Sequence, residues 1–347
     1  ALRLATNLTH VDQYVDNNIP DALSWLDVTE TALTNTKSIL TDIRTQCVKG
    51  SSDTLTADDR KTILNALTQL SDQIYTEGNA DYAGRTVFTG YRTNSKLTFG
   101  TDEATTEYDI KQQFSYNDIS EKRYYSGSVD VPAKLDATVG DCTTKISEQA
   151  YDRLRLGYDQ VSKDNLKVSY TVTNQSTGVK TTTDITPTVY ESEDAWEAAC
   201  GGTKTVGDNE TVFIASTGEL VIGKNVSASL KTDHADINVE YQKTGFNKGD
   251  VRPEYFYDCT DITDPTNPVE YKQDEDGDGI KDPQQIEYTI STGINIPVNT
   301  LASDAFDPSV AQDVNELLKE VLDNAEPLVD PRVQRQVVFV GLRLRVR

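Results

Sequence analysis

The segment Glu77-Gly-Asn-Ala-Asp-Tyr-Ala-Gly-Arg-Thr-Val-Phe-Thr-Gly-Tyr-Arg-Thr-Asn94 separates two kinds of sequence pattern. Before it, apolar residues recur at helical spacing; after it, short β-branched runs alternate with turn residues. Its glycines, Gly78, Gly84 and Gly90, permit the backbone conformations that end a helix and turn the chain. The segment therefore predicts a helix-to-sheet junction, and we call residues 77–94 the junction segment.

Two long helices are predicted before the junction segment. Between residues 21 and 48, apolar side chains recur every seven positions beside a seam of threonines, which is typical of a coiled-coil-like stripe. Gly50 then offers a C-cap, and Thr56 with Asp59 forms a capping-box-like start for the second helix. Helices joined by so short a loop are expected to pack as an antiparallel hairpin. Its predicted core consists of Leu26, Leu33, Leu40, Ile63, Leu67, Leu70 and Ile74.

The region after the junction segment is predicted to be antiparallel β structure with short helical interruptions. The interruptions are expected near residues 147–156 and 192–199, and Ser216-Thr-Gly218 is a hairpin turn signal. The predicted strands cover residues 166–172, 211–215, 219–223, 237–241 and 286–290. Helix returns where Asp307 provides an N-cap and Pro308 follows at the first helical position.

This order predicts an α+β fold in which a discontinuous, coiled-coil-like helical bundle is formed by both chain ends and carries a large antiparallel β-rich insertion. The helical core domain is predicted to comprise residues 1–96 together with 301–347. The insertion is predicted to cover residues 97–300. One interpretation divides it into two lobes, 97–160 and 161–300. Pro20 is expected to separate the helical hairpin from an earlier helical stretch.

Charge and composition exclude several classes of function. The chain has 33 Lys and Arg against 56 Asp and Glu, for a net charge of -23, which would repel a nucleic-acid backbone. It contains no apolar run long enough to span a bilayer, so no membrane insertion is expected. It contains no basic stretch followed by an apolar one at its start, so no cleavable signal peptide is expected. Four scattered cysteines, without a CxxC pair, and two histidines make a zinc site unexpected.

The acidic stretch Asp274-Glu-Asp-Gly-Asp-Gly-Ile-Lys-Asp282 has the spacing of a calcium loop. Such a loop wraps several oxygen ligands around one hard cation, with a glycine at the tight turn. Gln285 stands where a bidentate glutamate belongs, so a solvated acidic turn remains the alternative to a calcium site. The predicted ligands are Asp274, Asp276, Asp278 and Asp282, with the carbonyl oxygen of Ile280. No other cofactor is expected.

No catalytic residues are predicted. The sequence lacks the nucleophile-elbow, metalloprotease and phosphate-binding loop motifs, so the chain is not expected to be an enzyme. Arg85 and Arg92 flank the last turn of the junction segment. Two interpretations stay open for them, ordinary surface salt bridging and contact with another subunit.

Three parts of the chain resemble the flagellin family. The helical stretch from Asp21 to Leu33, followed by Asp59 and the Leu67 and Leu70 pair, resembles the N-terminal helical core of that family. Within the junction segment, Gly84-Arg-Thr-Val-Phe-Thr-Gly90 resembles the variant found in members that join hook and filament. The third part, Tyr288-Thr-Ile-Ser-Thr-Gly-Ile-Asn-Ile-Pro-Val-Asn-Thr300 with Ala305 and Phe306, is similar to the strand pair that leads such proteins back into their C-terminal helix.

The resemblance implies a structural subunit of the bacterial flagellum that forms a ring between hook and filament. The implied partners are further copies of the chain, flagellin, the hook-side junction protein (hook-associated protein 1) and a flagellar export chaperone. The implied location is extracellular, on the flagellum, after export without a cleaved signal peptide. Two alternatives remain, a flagellin filament subunit and a calcium-stabilised surface adhesin or binding module.

Overall fold

A computed structural model gives the conformation of the chain. It describes residues 11–50, 55–126, 129–130, 143–144, 147–174, 176–274, 281–291, 293–310, 312–314 and 316. The helices are α1 (Ile19–Gly50), α2 (Ala57–Glu77), α3 (Glu193–Ala199), α4 (Lys224–Thr232) and α5 (Ala302–Ala305). The strands are β1 (Asp81–Tyr82), β2 (Arg85–Thr86), β3 (Glu103–Ser115), β4 (Ser120–Ser126), β5 (Val129–Asp130), β6 (Thr143–Thr144), β7 (Ser147–Arg155), β8 (Lys167–Thr173), β9 (Lys180–Ile185), β10 (Thr188–Tyr190), β11 (Thr211–Ile214), β12 (Glu219–Ile222), β13 (Asp236–Phe246), β14 (Asp258–Asp261), β15 (Val269–Tyr271), β16 (Glu287–Ser291) and β17 (Ile294–Pro297). Long helices followed by mostly antiparallel sheets confirm the predicted α+β class.

Contacts between residues divide the chain into two compact units. Unit 1 comprises Ala1–Tyr108 and Gly245–Val329, and unit 2 comprises Asp109–Thr244 and Asp330–Arg347. Strands β3 and β13 carry residues of both units because the two boundaries fall inside them. The helical core domain and insertion defined from the sequence stay a prediction.

The helical hairpin of unit 1 has the predicted ends. Helix α1 ends at Gly50, and α2 begins after a complete capping box. In this box the Asp59 N–H donates to Thr56 Oγ1 at 3.2 Å, while the Thr56 N–H donates to Asp59 Oδ2 at 3.0 Å. Thr56 Oγ1 also donates to Asp59 Oδ2 at 2.7 Å, and the hydrogen bonds that the carboxylate accepts from the hydroxyl and the N–H of Thr56 lower the pKa of Asp59. At the other end of the hairpin, Asn35 Nδ2 donates to Glu77 Oε2 at 3.1 Å, as antiparallel packing requires.

The start of α1 differs from the prediction. Pro20 was expected to separate two helices, but it lies in the first turn of α1, directly after a π-helical turn at Tyr14–Asn18. In that turn the Ile19 N–H donates to the carbonyl oxygen of Tyr14, five residues back. Proline disrupts an α-helix because its ring meets the carbonyl four residues earlier and its nitrogen cannot donate. The wider π-helical turn accommodates both effects, so the helix continues through the proline.

The buried seam of α1 is shifted by one residue toward the N-terminus relative to the predicted stripe. The residues that α1 buries are Ala22, Trp25, Thr29, Ala32, Thr36, Ile39 and Gly50. Leu26 and Leu40, predicted as core, are instead 40% and 43% exposed, and Leu33 is half-buried. On α2, Ile63, Leu67 and Ile74 are buried, and Leu70 is half-buried.

Two features of the buried seam explain the shift. Trp25 is fully buried and is the largest side chain of the seam, so its position fixes which face of α1 turns inward. The threonines beside it can be buried because their hydroxyl groups are satisfied within the helix. Thr29 Oγ1 donates to the carbonyl oxygen of Trp25 at 2.9 Å, and Thr36 Oγ1 donates to that of Ala32 at 2.8 Å.

The β structure of unit 1 is built around an aromatic cluster. Phe99 stacks on Phe246 with ring centroids 4.7 Å apart, and Tyr108 meets Phe246 edge to face at 5.6 Å. In the sheet, β14 lies between β15 and β3. A separate hairpin, formed by β16 and β17, precedes α5.

Unit 2 contains a five-stranded sheet in the order β10-β11-β12-β7-β4, in which β10 runs parallel to β11 and the remaining neighbours are antiparallel. The predicted hairpin turn at residues 216–218 connects β11 to β12, and the predicted helix near 192–199 is α3. Helix α4 was not predicted. The apolar core of this sheet consists of Tyr151, Trp196, Val212, Ile214 and Val221.

The predicted helical interruption at residues 147–156 is wrong. This stretch is rich in helix-forming residues, yet the structure places it in β7, the neighbour of both β4 and β12. A strand with partners on both edges satisfies its backbone hydrogen bonds through the sheet, and that outweighs intrinsic preference.

A chain of buried charges crosses this sheet. Lys122 Nζ lies 3.2 Å from Glu193 Oε1 and 3.4 Å from Glu219 Oε1, and Arg153 also pairs with Glu219. Lys204 Nζ lies 3.3 Å from Glu193 Oε1 at the more exposed end. The side chains of Lys122, Arg153 and Glu219 are at most 8% exposed, so the pairing is shielded from water.

In the six-stranded sheet that contains β14 and β3, β8 lies between β13 and β9. The pairing of β8 with β9 is antiparallel and continuous from Val168 opposite Ile185 to Thr173 opposite Lys180. None of the helices within the described residues has the length and hydrophobicity that a bilayer crossing needs.

Candidate interaction surface at the junction segment

The first part of the junction segment lies against the buried tryptophan of α1. The hairpin of β1 and β2 brings Tyr82 to Trp25, edge to face, with ring centroids 6.3 Å apart. The exposed Arg85 places its guanidinium 5.0 Å from the centroid of the Trp25 ring. Arg85 therefore contributes a cation–π contact within the subunit, while the rest of its side chain is accessible on the surface.

The last turn of the junction segment is held by a glutamine from a distant part of the sequence. Gly90 has a positive φ of 59°, and a side chain there would meet Gln284. Gln284 Oε1 accepts a hydrogen bond from the Tyr91 N–H at 3.3 Å, and its carbonyl oxygen accepts one from Asn299 Nδ2 at 2.6 Å. Gly90 is thus required both by its backbone conformation and by the close approach of Gln284.

Arg92 is held inside unit 1. Its guanidinium lies 4.2 Å from the centroid of the Tyr271 ring, and its Nη1 donates to the carbonyl oxygen of Glu254 at 3.5 Å. The same carbonyl accepts a bond from Gln273 Nε2 at 2.8 Å, and Tyr108 Oη donates to Glu254 Oε2 at 3.2 Å. The contacts of Arg92 therefore connect the junction segment to strands β3 and β15.

The returning C-terminal part of unit 1 meets the junction segment at Phe88. The ring of Phe306 contacts that of Phe88 edge to face at 5.0 Å, and the Ala302 N–H donates to the Phe88 carbonyl oxygen at 2.8 Å. Tyr75 Oη donates to the carbonyl oxygen of Asp307 at 3.0 Å. The structure therefore brings together the three parts of the sequence that carry the family resemblance.

Beside this turn lies an open cleft of about 770 Å³. Tyr91, which is 65% exposed, stands at its rim. The lining residues are Tyr91, Arg92, Glu270, Lys272, Gln273, Asp282, Pro283 and Gln284. A smaller cleft of about 360 Å³ contains Lys281, and burial lowers the pKa of this lysine although Asp304 and Asp258 oppose the shift.

A second apolar surface runs along α1. Leu23, Leu26, Leu40 and Val48 are between 40% and 56% exposed, and the half-buried Leu33 lies on the same helical face as Leu26 and Leu40. We call Leu26, Leu33 and Leu40 the outer stripe. This stripe and the buried seam lie side by side on one helix, so α1 has a wider apolar face than α2 covers.

The predicted calcium loop is closed at its base. The Asp282 N–H donates to the carbonyl oxygen of Gln273 at 2.7 Å, which brings the two ends of the loop together. Asp276, Asp278 and Ile280 lie outside the described residues. Within the described ranges, no group of three or more His, Cys, Asp or Glu side chains is arranged to hold a metal ion. The calcium site, including Asp274 and Asp282, stays a prediction.

The cysteines of the described part of the chain are free thiols. Cys47 and Cys200 are half-buried and Cys259 is buried, where burial raises the pKa of its thiol. A buried thiol of raised pKa is chemically inert under ordinary conditions.

Trp25, Glu254 and Gln284 organise the site but were not predicted from the sequence. Trp25 could have been predicted, because a single tryptophan in a helix whose apolar face otherwise carries leucine and threonine is expected at the most buried position. Glu254 and Gln284 could not have been predicted, because their partners lie far away in the sequence.

The N-terminal part of the chain matches a known protein family. The family described as the bacterial flagellin N-terminal helical region matches residues 1–93. No curated protein matches the chain.

Solved structures with some likeness include FlgL of Xanthomonas campestris, at 11% identity and a TM-score of 0.32, over 97% of this chain and 83% of that one. The flagellar junction protein FlgL from Legionella pneumophila gives 10% identity and a TM-score of 0.26, over 98% and 93% of the two chains. Similarity at these scores carries no argument by itself. The family match covers residues 1–93, and there the chain is similar to the bacterial flagellin N-terminal helical region, as the resemblance implied.

Proposed function

We propose that this protein is a structural subunit of the bacterial flagellum that forms the junction between hook and filament. One observation carries the proposal: in the outer stripe of α1, within the flagellin-type region, Leu26 and Leu40 stay exposed and Leu33 is only half-buried. The junction segment adds support, because its last turn has the form that resembles hook-associated protein 3.

The outer stripe gives assembly a driving force. Fully burying an exposed leucine stabilises by about 1.5–3 kcal/mol, and because Leu26 and Leu40 are 40% and 43% exposed, covering the remaining surface of each contributes about 1 kcal/mol. Several leucines in a row along one helix therefore favour packing against another helix. In the proposed assembly this helix comes from the C-terminal region or from a neighbouring subunit, so that subunits pack side by side into a ring. Arg85, accessible beside Trp25, is the other interface candidate.

The proposed partners are flagellin on the filament side and hook-associated protein 1 on the hook side, with an export chaperone before assembly. The proposed location is the extracellular flagellum. The protein acts by packing and not by catalysis, in keeping with the lack of catalytic motifs in its sequence.

The test measures binding of the full chain to purified flagellin and to hook-associated protein 1. The unchanged chain is expected to bind both, and the Leu26→Glu, Leu40→Glu double variant is expected to lose assembly. Val269→Glu is the matched control, since Val269 is 42% exposed but lies on β15. A chain that stays monomeric and binds neither partner would show the junction function to be wrong.

A flagellin filament subunit is the second candidate, because the family match is to the flagellin N-terminal region as a whole. A filament subunit polymerises by itself into long filaments, whereas a junction subunit needs the hook-side partner. Electron microscopy of the purified chain with and without hook-associated protein 1 separates the two.

A further inference from the structure

Strand β9 is an open edge of unit 2. It pairs with β8 along one side and ends its sheet on the other. Five of its six residues are exposed, and the sixth, Ile185, is half-buried. Proteins usually protect such edges with proline, bulges or clustered like charges. Lys180-Thr-Thr-Thr-Asp-Ile185 has no proline, its pairing with β8 has no bulge, and its charges are one lysine and one aspartate.

The sequence of β9 is complementary to itself when two copies run antiparallel. If Thr182 lies opposite Thr182 of a second copy, Lys180 lies opposite Asp184 and Thr181 lies opposite Thr183. The flanking Val179, which is 59% exposed, then lies opposite Ile185. Each pair joins similar side chains or opposite charges, and every pair except the central Thr182 pair occurs twice. A shift by one or two residues loses both charge pairs.

The faces of the strand agree with this register. Side chains alternate along a strand, so Lys180, Thr182 and Asp184 share one face. That face is fixed by the contact of Thr182 Oγ1 with Thr171 Oγ1 on β8 at 2.9 Å. In the antiparallel pair, the lysine of each copy therefore lies on the same side of the sheet as the aspartate it faces.

We propose that β9 is a self-association site, at which two copies of this chain join their sheets through an antiparallel, two-fold symmetric β9 pair centred on Thr182. Backbone hydrogen bonds supply the attraction, and the two Lys180–Asp184 pairs set the register. The partner is a second copy because the edge carries both charges in a self-complementary order.

This pair is independent of the proposed ring. Subunits around a ring contact each other head to tail, whereas a two-fold pair uses the same surface on both copies. The β9 pair therefore joins subunits that do not belong to the same ring. Its failure would leave the junction function untouched, and the reverse also holds.

The first experiment measures dimerisation of the full chain by sedimentation at about 0.15 M salt, which screens the general repulsion between two copies of net charge -23 more than it screens close charge pairs. Lys180→Glu and Asp184→Lys each place like charges opposite each other at both ends, so each is expected to weaken dimerisation about tenfold. A mixture of these two variants restores both charge pairs and is expected to dimerise like the unchanged chain. Lys96→Glu, at an exposed lysine away from β9, is the control and leaves dimerisation unchanged.

The second experiment tests the register by crosslinking. Residues opposite each other in an antiparallel pair have Cα atoms about 4.5–5.5 Å apart, within reach of a disulfide. Thr182→Cys is expected to form a covalent dimer under mild oxidation, and Thr183→Cys, which would not face itself, is the matched control. A chain that stays monomeric at high concentration, a mixture that fails to recover, or equal crosslinking at both positions overturns the proposal.

Discussion

The helical hairpin of unit 1 and the five-stranded sheet of unit 2 bury different kinds of side chain. The hairpin buries apolar groups, threonines whose hydroxyls bond to their own helix, and the side chain of Arg60. The sheet buries a chain of charges that extends from Lys204 through Lys122 to Arg153. The stability of the hairpin depends mainly on the apolar area that it buries, whereas the stability of the sheet depends on each buried charge keeping its partner. An apolar surface that the hairpin leaves exposed can therefore be covered when subunits assemble. Removing one charged side chain from the sheet, in contrast, leaves its partner buried without a counter-charge.

The largest expected effect follows from removing Glu219. Glu219→Ala leaves Lys122 and Arg153 without the carboxylate between them, and breaking a buried pair costs about 3–5 kcal/mol. Urea unfolding, followed by hydrogen exchange in β7 and β12, measures the loss. Glu121→Ala is the control, because Glu121 pairs with the exposed Arg123 and its removal costs at most about 1 kcal/mol. Equal losses in both variants would contradict the role of burial.

The same substitution at two leucines tests the hairpin. Leu67 is 1% exposed, and Leu67→Ala is expected to destabilise the hairpin by about 2–5 kcal/mol. Leu26→Ala changes a side chain that is 40% exposed and is expected to cost less than about 1 kcal/mol in the isolated chain. Thermal unfolding of α1 and α2 by circular dichroism measures both. A large loss of stability in Leu26→Ala would show that the predicted stripe containing Leu26 is the buried face of α1.

The leucines also show how far the sequence could predict the structure. Heptad spacing predicted two helices, their hairpin and the buried positions Ile63, Leu67 and Ile74, because residues at this spacing lie on one face of a helix. It could not choose between two adjacent faces of α1 that both carry apolar residues. That choice depends on Trp25, Tyr82 and Arg85 packing together, and no local pattern contains this information.

The same limit applies to the candidate site. The junction segment was predicted from its own residues, but Gln284 and Glu254, which hold Tyr91 and Arg92, lie almost 200 and more than 160 positions away. Strand β7 was mistaken for helix for a related reason, since only its two neighbouring strands make it extended.

Calcium should stabilise unit 1 if the acidic loop binds it. With a dissociation constant on the order of 1 mM, typical of weak extracellular sites, 10 mM calcium would add about 1.4 kcal/mol. Calorimetric titration and thermal unfolding measure the effect, and Asp276→Asn with Asp278→Asn should abolish it. Magnesium is the ionic control. No heat and no stabilisation with calcium would mean that the loop is a solvated turn.

The cap of α2 should contribute less. Thr56→Ala removes the acceptor for the Asp59 N–H and is expected to destabilise the hairpin by about 1 kcal/mol. Thr62→Ala, an exposed position inside α2, provides the control. The melting temperature of the two variants should differ in that direction, and a more stable Thr56→Ala chain would contradict the cap.

The smallest expected effect is a dependence of unit 2 on acid. Burial raises the pKa of Glu193, but Lys122 and Lys204 lower it further, so the net pKa lies below its ordinary value. A carboxyl with a lowered folded-state pKa stabilises the fold above its unfolded-state pKa, and this contribution is lost as pH falls through the folded-state value. Stability of unit 2 should therefore decline on acidification below the ordinary glutamate range, and Glu193→Gln should reduce that decline while lowering stability at neutral pH. The hairpin of unit 1 contains no such buried carboxylate among its described residues and serves as the internal control, so an equal decline there would assign the acid sensitivity to exposed carboxylates instead.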